Sequence, residues 1–194
     1  NPVATAALHV FVSEVEARRG AFGTAAKHLR VARSLLDRHE NSWLEGISAI
    51  AEFCVAYLSA DLETAHSHAK RAPHAVVESG HARTRLAALI NLGHIYTRRG
   101  DFVAATSYFN DAWKMCDMSP RCRDSILDGY AQVALGRRDF HRCDKLIAEL
   151  RERETPELSY AKVGSFHTQL SSLLAQARWT DARSTADTAI ARAQ

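Results

Sequence analysis

Large apolar residues recur along the chain at a near-constant interval: Phe22, Leu62, Phe102, Phe140 and Trp179, spaced 40, 40, 38 and 39 residues apart. Each opens the same pattern. Three residues on stands a small side chain (Ala25, Ala65, Ala105, Cys143, Ala182). Seven on come Leu29, Ala69, Phe109, Ile147 and Ala186, and ten on come Ala32, Ala72, Ala112, Leu150 and Ala189. Offsets of zero, three, seven and ten trace one stripe along an α-helix. The small residue admits a neighbouring helix and the larger ones fill the seam.

A second apolar-periodic segment precedes each anchor. Before Phe102 it reads Leu89, Leu92, Gly93 and Tyr96, with Gly100 closing the helix and Asp101 placed to cap the next. Before Phe140 it reads Leu127, Tyr130, Ala131 and Ala134, and before Trp179 it reads Phe166, Leu170 and Leu173, then Ala177. In the first two segments the stripe is shifted by one residue: Leu8, Phe11, Val12, Val15 and Ile50, Phe53, Cys54, Tyr57. Turns one residue longer or shorter would produce that shift. Ser119-Pro120 and Thr155-Pro156 each set a capping hydroxyl before a proline at the first helical position.

The pattern therefore predicts ten helices in five antiparallel pairs: 3–19 with 22–38, 42–59 with 61–72, 80–99 with 101–117, 120–137 with 139–153, and 156–177 with 179–192. As whole pairs these span 3–38, 42–72, 80–117, 120–153 and 156–192 of one repeat domain covering 1–194. The longest connector, Pro73–Gly80, has room for helix of its own.

Composition agrees with an all-α fold. There are 33 alanines against 9 glycines and 4 prolines, and Ala is the residue that loses least on entering a helix. The formal net charge of +3 gives no ground for a nucleic-acid surface. No apolar run approaches the roughly 20 residues of a membrane span. The cysteines Cys54, Cys116, Cys122 and Cys143 lack the spacing of a zinc or redox motif, so a reduced, cytoplasmic protein is expected. His66 and His68, two apart, fall on different sides of a helix, and no metal site is expected of them. There is no Gly-rich phosphate loop and no Gly-x-Ser-x-Gly elbow. The expectation is no catalytic residue, no cofactor and no enzyme. An N-terminus at Asn1 and a last helix without a capping helix suggest a piece of a longer polypeptide.

The third pair resembles a tetratricopeptide repeat: Leu89, Leu92-Gly93, Tyr96, Gly100, Phe102, Ala105, Phe109 and Ala112 stand at the family's motif offsets. The other pairs fit the second helix of the repeat well and the first helix loosely. The period of 38–40 exceeds the usual 34, and longer helices of this kind resemble arrays in large bacterial signalling proteins and transcription activators. The resemblance implies a right-handed helical solenoid of about five pairs, a superhelix whose first helices line a concave groove. Carried over where the register is secure, it places Ile90, His94, Thr97, Asp128 and Gln132 on that groove. Their mixed polarity suits a peptide or a helix. Asn91 matches an amide of the clamp that some relatives close on an acidic tail, but Ser125, Asp128 and Gly129 stand where that clamp wants Lys and Arg.

The expected function is thus a protein-interaction or regulatory scaffold of a bacterial signalling or transcription-regulatory protein. It would bind a protein or peptide partner, with no direct nucleic-acid or membrane contact, and could form a homo-oligomer. Two alternatives stand beside it: a ligand sensor controlling an attached DNA-binding or ATPase domain, and a dimerisation spacer with an apolar, self-complementary patch.

Overall fold

The computed structural model describes residues 1–37, 41–79, 81–116, 120–153 and 160–193. These form ten helices with no strand among the described residues: α1 (Pro2–Arg18), α2 (Phe22–Leu36), α3 (Ser42–Leu58), α4 (Leu62–Ser79), α5 (Ala82–Arg98), α6 (Phe102–Trp113), α7 (Pro120–Gly136), α8 (Phe140–Glu152), α9 (Tyr160–Ala175) and α10 (Trp179–Ala193). Side-chain oxygens set several starts by accepting an orphan backbone N–H of the first turn. Asn41 accepts from Leu44 at 2.9 Å, Asp61 from Thr64 at 3.1 Å, the predicted cap Asp101 from Ala104 at 3.0 Å and Asp139 from Arg142 at 3.1 Å. The predicted caps Ser119 and Thr155 lie outside the described residues.

Two helix ends differ from the sequence expectation. The fourth helix, expected to stop near residue 72, continues through Pro73 to Ser79. After the proline, the run from His74 to Ser79 contains no further breaker before Gly80, and helix continues. The sixth stops at Trp113 instead of 117, turning through Lys114 and Met115.

One turn recurs five times. Gly20, Ala60, Gly100, Arg138 and Ala177 each stand two residues before an anchor and adopt left-handed backbone, with φ of 79°, 65°, 78°, 61° and 56°. In each turn the next residue donates its N–H to the carbonyl five positions back: Ala21 to Glu16, Asp61 to Ala56, Asp101 to Tyr96, Asp139 to Ala134 and Arg178 to Leu173, at 2.9–3.0 Å. That is the Schellman closure, which satisfies a helix-end carbonyl and reverses the chain. The turns are equal, so turn length does not explain the shifted stripes of the first two pairs.

Burial explains the first of them. In α1 the covered residues are Ala6, Val10, Ser13 and Ala17. Leu8, Phe11, Val12 and Val15 form a separate stripe at 65%, 52%, 39% and 55% exposure. The equivalents 80 residues on, Ala88, Leu92 and Ile95 for Leu8, Val12 and Val15, are buried in α5. The first helix has two apolar faces, and α2 and α3 cover one of them.

The chain divides into two compact units, Asn1–Ile95 and Tyr96–Gln194. In the first, α1 packs on α2, α3 on α4, and both α1 and α2 on α3. Its main core gathers Ala6, Val10, Ala32, Leu44 and Ala51, with Leu29, Leu35 and Leu36 against it. A smaller cluster joins Ala49 of α3 to Ala88 of α5. In the second unit α6 packs on α7, α7 on α8 and α9, and α9 on α8 and α10. Ala131 and Ala134 of α7 meet Cys143 and Ile147 of α8 there.

The small residues three past each anchor (Ala25, Ala65, Ala105, Cys143, Ala182) are all buried, as the stripe predicts. Trp179 departs from the pattern: it is 65% exposed where Phe22, Leu62, Phe102 and Phe140 are half-buried. In the second unit the fully buried Phe109 lies so close to Gly129 that its ring occupies the space of a β-carbon there. Phe102 stands in the same relation to Gly136, two helical turns along α7. The missing side chains are what let α6 lie against α7.

Candidate functional site

The most polar buried surface in the second unit lies between α7 and α9. Helical spacing puts Asp124, Asp128 and Gln132 on one line of α7, four residues apart, and Ser165, Thr168 and Ser172 on one line of α9. Asp124, Asp128, Ser165, Thr168 and Ser172 are all buried. At helix–helix seams these positions ordinarily hold apolar bulk, so each polar group must find a partner.

Most do. Asp128 accepts from the Thr168 hydroxyl at 3.1 Å on one oxygen and from the Gln132 amide at 2.8 Å on the other. Burial nevertheless dominates, and pushes the Asp128 carboxyl up to about 6 despite both hydrogen bonds. Asp124 accepts from Arg153 Nε at 2.8 Å. Further along, Gln176 donates to the Ser172 hydroxyl at 3.1 Å, and Ser172 donates to Asp144 at 3.4 Å. Arg178 approaches the other oxygen of Asp144 at 3.9 Å. The seam therefore grades from a buried carboxylate at Asp128 to half-exposed charges at Asp144 and Arg178. Burial also pushes the neighbouring Cys143 thiol up to about 11, keeping it protonated at neutral pH.

Beside the seam stands an aromatic group. Tyr130 meets Phe109 edge-on at 5.6 Å and donates its hydroxyl to Asn110 at 2.6 Å. The Arg123 guanidinium lies 4.9 Å over the Trp113 ring.

The residues predicted from sequence fall in both units. Ile90 and His94 belong to the first, Thr97, Asp128 and Gln132 to the second. Ile90 and Asp128 are buried, whereas His94, Thr97 and Gln132 are half-buried. Asp128 and Gln132 come together in one hydrogen bond. Thr168, Ser172, Asp124 and Asp144 were not anticipated. Their signal was available: hydroxyls and carboxylates repeating at helical spacing on a face that should be apolar.

The first unit has its own charged cluster, centred on Glu52 of α3. Arg33 of α2 and Arg71 of α4 both bind its carboxylate, and His68 Nδ1 donates to it at 3.1 Å. Burial alone would raise the Glu52 carboxyl. The His68 hydrogen bond and the two arginine charges more than offset that and hold it at about 2. His68 is thus part of an ion-pair cluster joining three helices, and among the described residues no set of three metal-ligating side chains occurs. No helix among the described residues is long and apolar enough to cross a membrane.

Comparison of the chain with protein-family models, curated proteins and solved structures found no match.

Proposed function

We propose that the chain is a tetratricopeptide-like interaction module whose odd-numbered helices form the inner, partner-binding layer of a right-handed solenoid. The observation that carries this reading is the presence of half-buried amides on two helices of that layer: Gln132 on α7, and Gln169 and Gln176, seven residues apart, on α9 and the turn that follows it. Amides both donate and accept, which suits the backbone of an extended or helical peptide. The direct packing of α1 on α3 and of α7 on α9 supports an inner layer of odd-numbered helices. Such a module belongs in a bacterial signalling or transcription-regulatory protein.

A displayed random-peptide library panned against the chain tests this. The reading expects enriched peptides of micromolar affinity whose binding falls at least about tenfold in Gln132→Ala and Gln176→Ala, measured at a temperature where circular dichroism shows both variants fully folded. Enriched peptides indifferent to both substitutions would remove it.

The exposed α1 stripe favours a second reading, the dimerisation spacer. Positions 8 and 15, and 11 and 12, exchange about the stripe's midpoint, so two copies of α1 could pack antiparallel. A concentration-dependent mass in light scattering, abolished by Phe11→Glu, would support it; a monomer at all concentrations would not.

A further inference from the structure

One cluster lies apart from both the seam and the Glu52 group. His9 of α1 and His28 of α2 face each other with their Nδ1 atoms 2.8 Å apart and their ring centroids 5.0 Å apart. Both side chains are half-buried, and they join the two helices of the N-terminal pair. We propose that His9 and His28 form a two-imidazole site for a divalent transition-metal ion, Cu2+ or Ni2+.

The argument starts from the nitrogens. A hydrogen bond between two Nδ1 atoms requires one to carry the proton and the other to be bare. Moving the donor's proton to its own Nε2 leaves two neutral imidazoles with both Nδ1 lone pairs free, with no net proton released. Each ring then turns to aim its lone pair at the ion. Metal–imidazole bonds are about 2.0–2.1 Å long, so two ligands at right angles stand about 2.9 Å apart, and two at the tetrahedral angle about 3.3 Å. The present 2.8 Å is the length of the hydrogen bond between the two rings, so a small turn of each brings both Nδ1 atoms within the span of one ion. Imidazole is also a ligand that Cu2+ and Ni2+ favour, and Cu2+ stands at the top of the affinity series. Among the described residues no carboxylate, thiolate or third imidazole completes the set, so water fills the other positions and the site stays open.

Bound metal would tie α1 to α2, so it stabilises the folded chain in proportion to its occupancy. The test is thermal melting of the 194-residue chain with NiCl2 or CuCl2 against EDTA, together with the visible and electron paramagnetic spectra of the Cu2+ form. His9→Asn and His28→Asn are the variants, because Asn places a polar atom close to where Nδ1 sits. The proposal expects a metal-dependent rise in Tm for the wild-type chain and a two-nitrogen Cu2+ spectrum at one equivalent. In either variant the apparent affinity should fall at least about tenfold and the second nitrogen should vanish from the spectrum. The spectrum is read on folded protein at low temperature, so a variant with lowered Tm still decides the question. Equal melting shifts and equal spectra in wild type and both variants, or no nitrogen signal at all, would overturn it.

Discussion

The ring of Phe109 fills the space in which a β-carbon on Gly129 would sit, so these two residues set how closely α6 approaches α7. Each depends on the other. Replacing Phe109 by Ala should cost about 3–5 kcal/mol through lost burial and the cavity left behind. Replacing Gly129 by Ala should cost about 1–3 kcal/mol through overpacking against a ring with no room to move. In the double variant Phe109→Leu with Gly129→Ala, the losses should be less than additive, because the smaller side chain vacates the space the methyl needs. Denaturant melts of the wild type, Phe109→Leu, Gly129→Ala and the double variant measure this, and strict additivity would mean the contact is not shared.

The five equal turns carry unequal strain. Gly20 and Gly100 adopt left-handed backbone freely, but Ala60, Arg138 and Ala177 do so against the clash of their β-carbons. Ala60→Gly and Ala177→Gly should each stabilise the chain by about 0.5–1 kcal/mol, net of the greater freedom of glycine when unfolded. Gly100→Ala should lose about 1 kcal/mol, because nothing near its missing β-carbon obstructs a methyl and only the backbone resists. Arg138→Gly should gain less than the alanines, since its guanidinium also lies 5.8 Å over the Phe140 ring.

Asp128 sets a pH dependence of unusual sign for a carboxylate. Its folded-state value of about 6 lies above the ordinary 3.8, so the folded chain binds the proton more tightly than the unfolded one. Stability contributed by this group is therefore highest below about pH 4 and is lost as pH rises through 6. The whole effect is on the order of 3 kcal/mol. Asp128→Asn keeps an acceptor for Thr168 and should flatten the stability profile between pH 4 and 6 while raising Tm at pH 7. An unchanged profile would show that the carboxyl is not desolvated.

Glu52 works in the opposite direction. Held at about 2 against an ordinary 4.5, it contributes stability that is fully present above pH 4.5 and is lost as pH falls towards 2. Glu52→Gln should lower stability at pH 7 by about 1–2 kcal/mol, less than for a fully buried pair because Arg33 and Arg71 remain half-exposed to water. It should also remove the acid-side slope that the wild-type chain shows in that window.

Much of the helix map was legible because its signals are local. The anchors and the small residues three beyond them repeat at one spacing, and caps such as Asp101 and Asp139 act within their own first turn. What was not legible depended on neighbours. The stripe Leu8, Phe11, Val12 and Val15 has the spacing of a core face, yet the burial falls on Ala6, Val10, Ser13 and Ala17, because α2 and α3 sit on that side. Trp179 has the size of an anchor but stays exposed. The candidate site was legible in part: Asp128 and Gln132 were expected together, but Thr168 lies 40 residues away and enters only through the packing of α9 on α7.

The partner-binding role of the odd-numbered helices is tested most directly by hydrogen–deuterium exchange of the chain with a saturating library-selected peptide. The account predicts slowed exchange concentrated on α7 and α9 around Gln132, Gln169 and Gln176, with little change on α8 and α10. Protection confined to α8 and α10, or spread evenly over all helices, would contradict it.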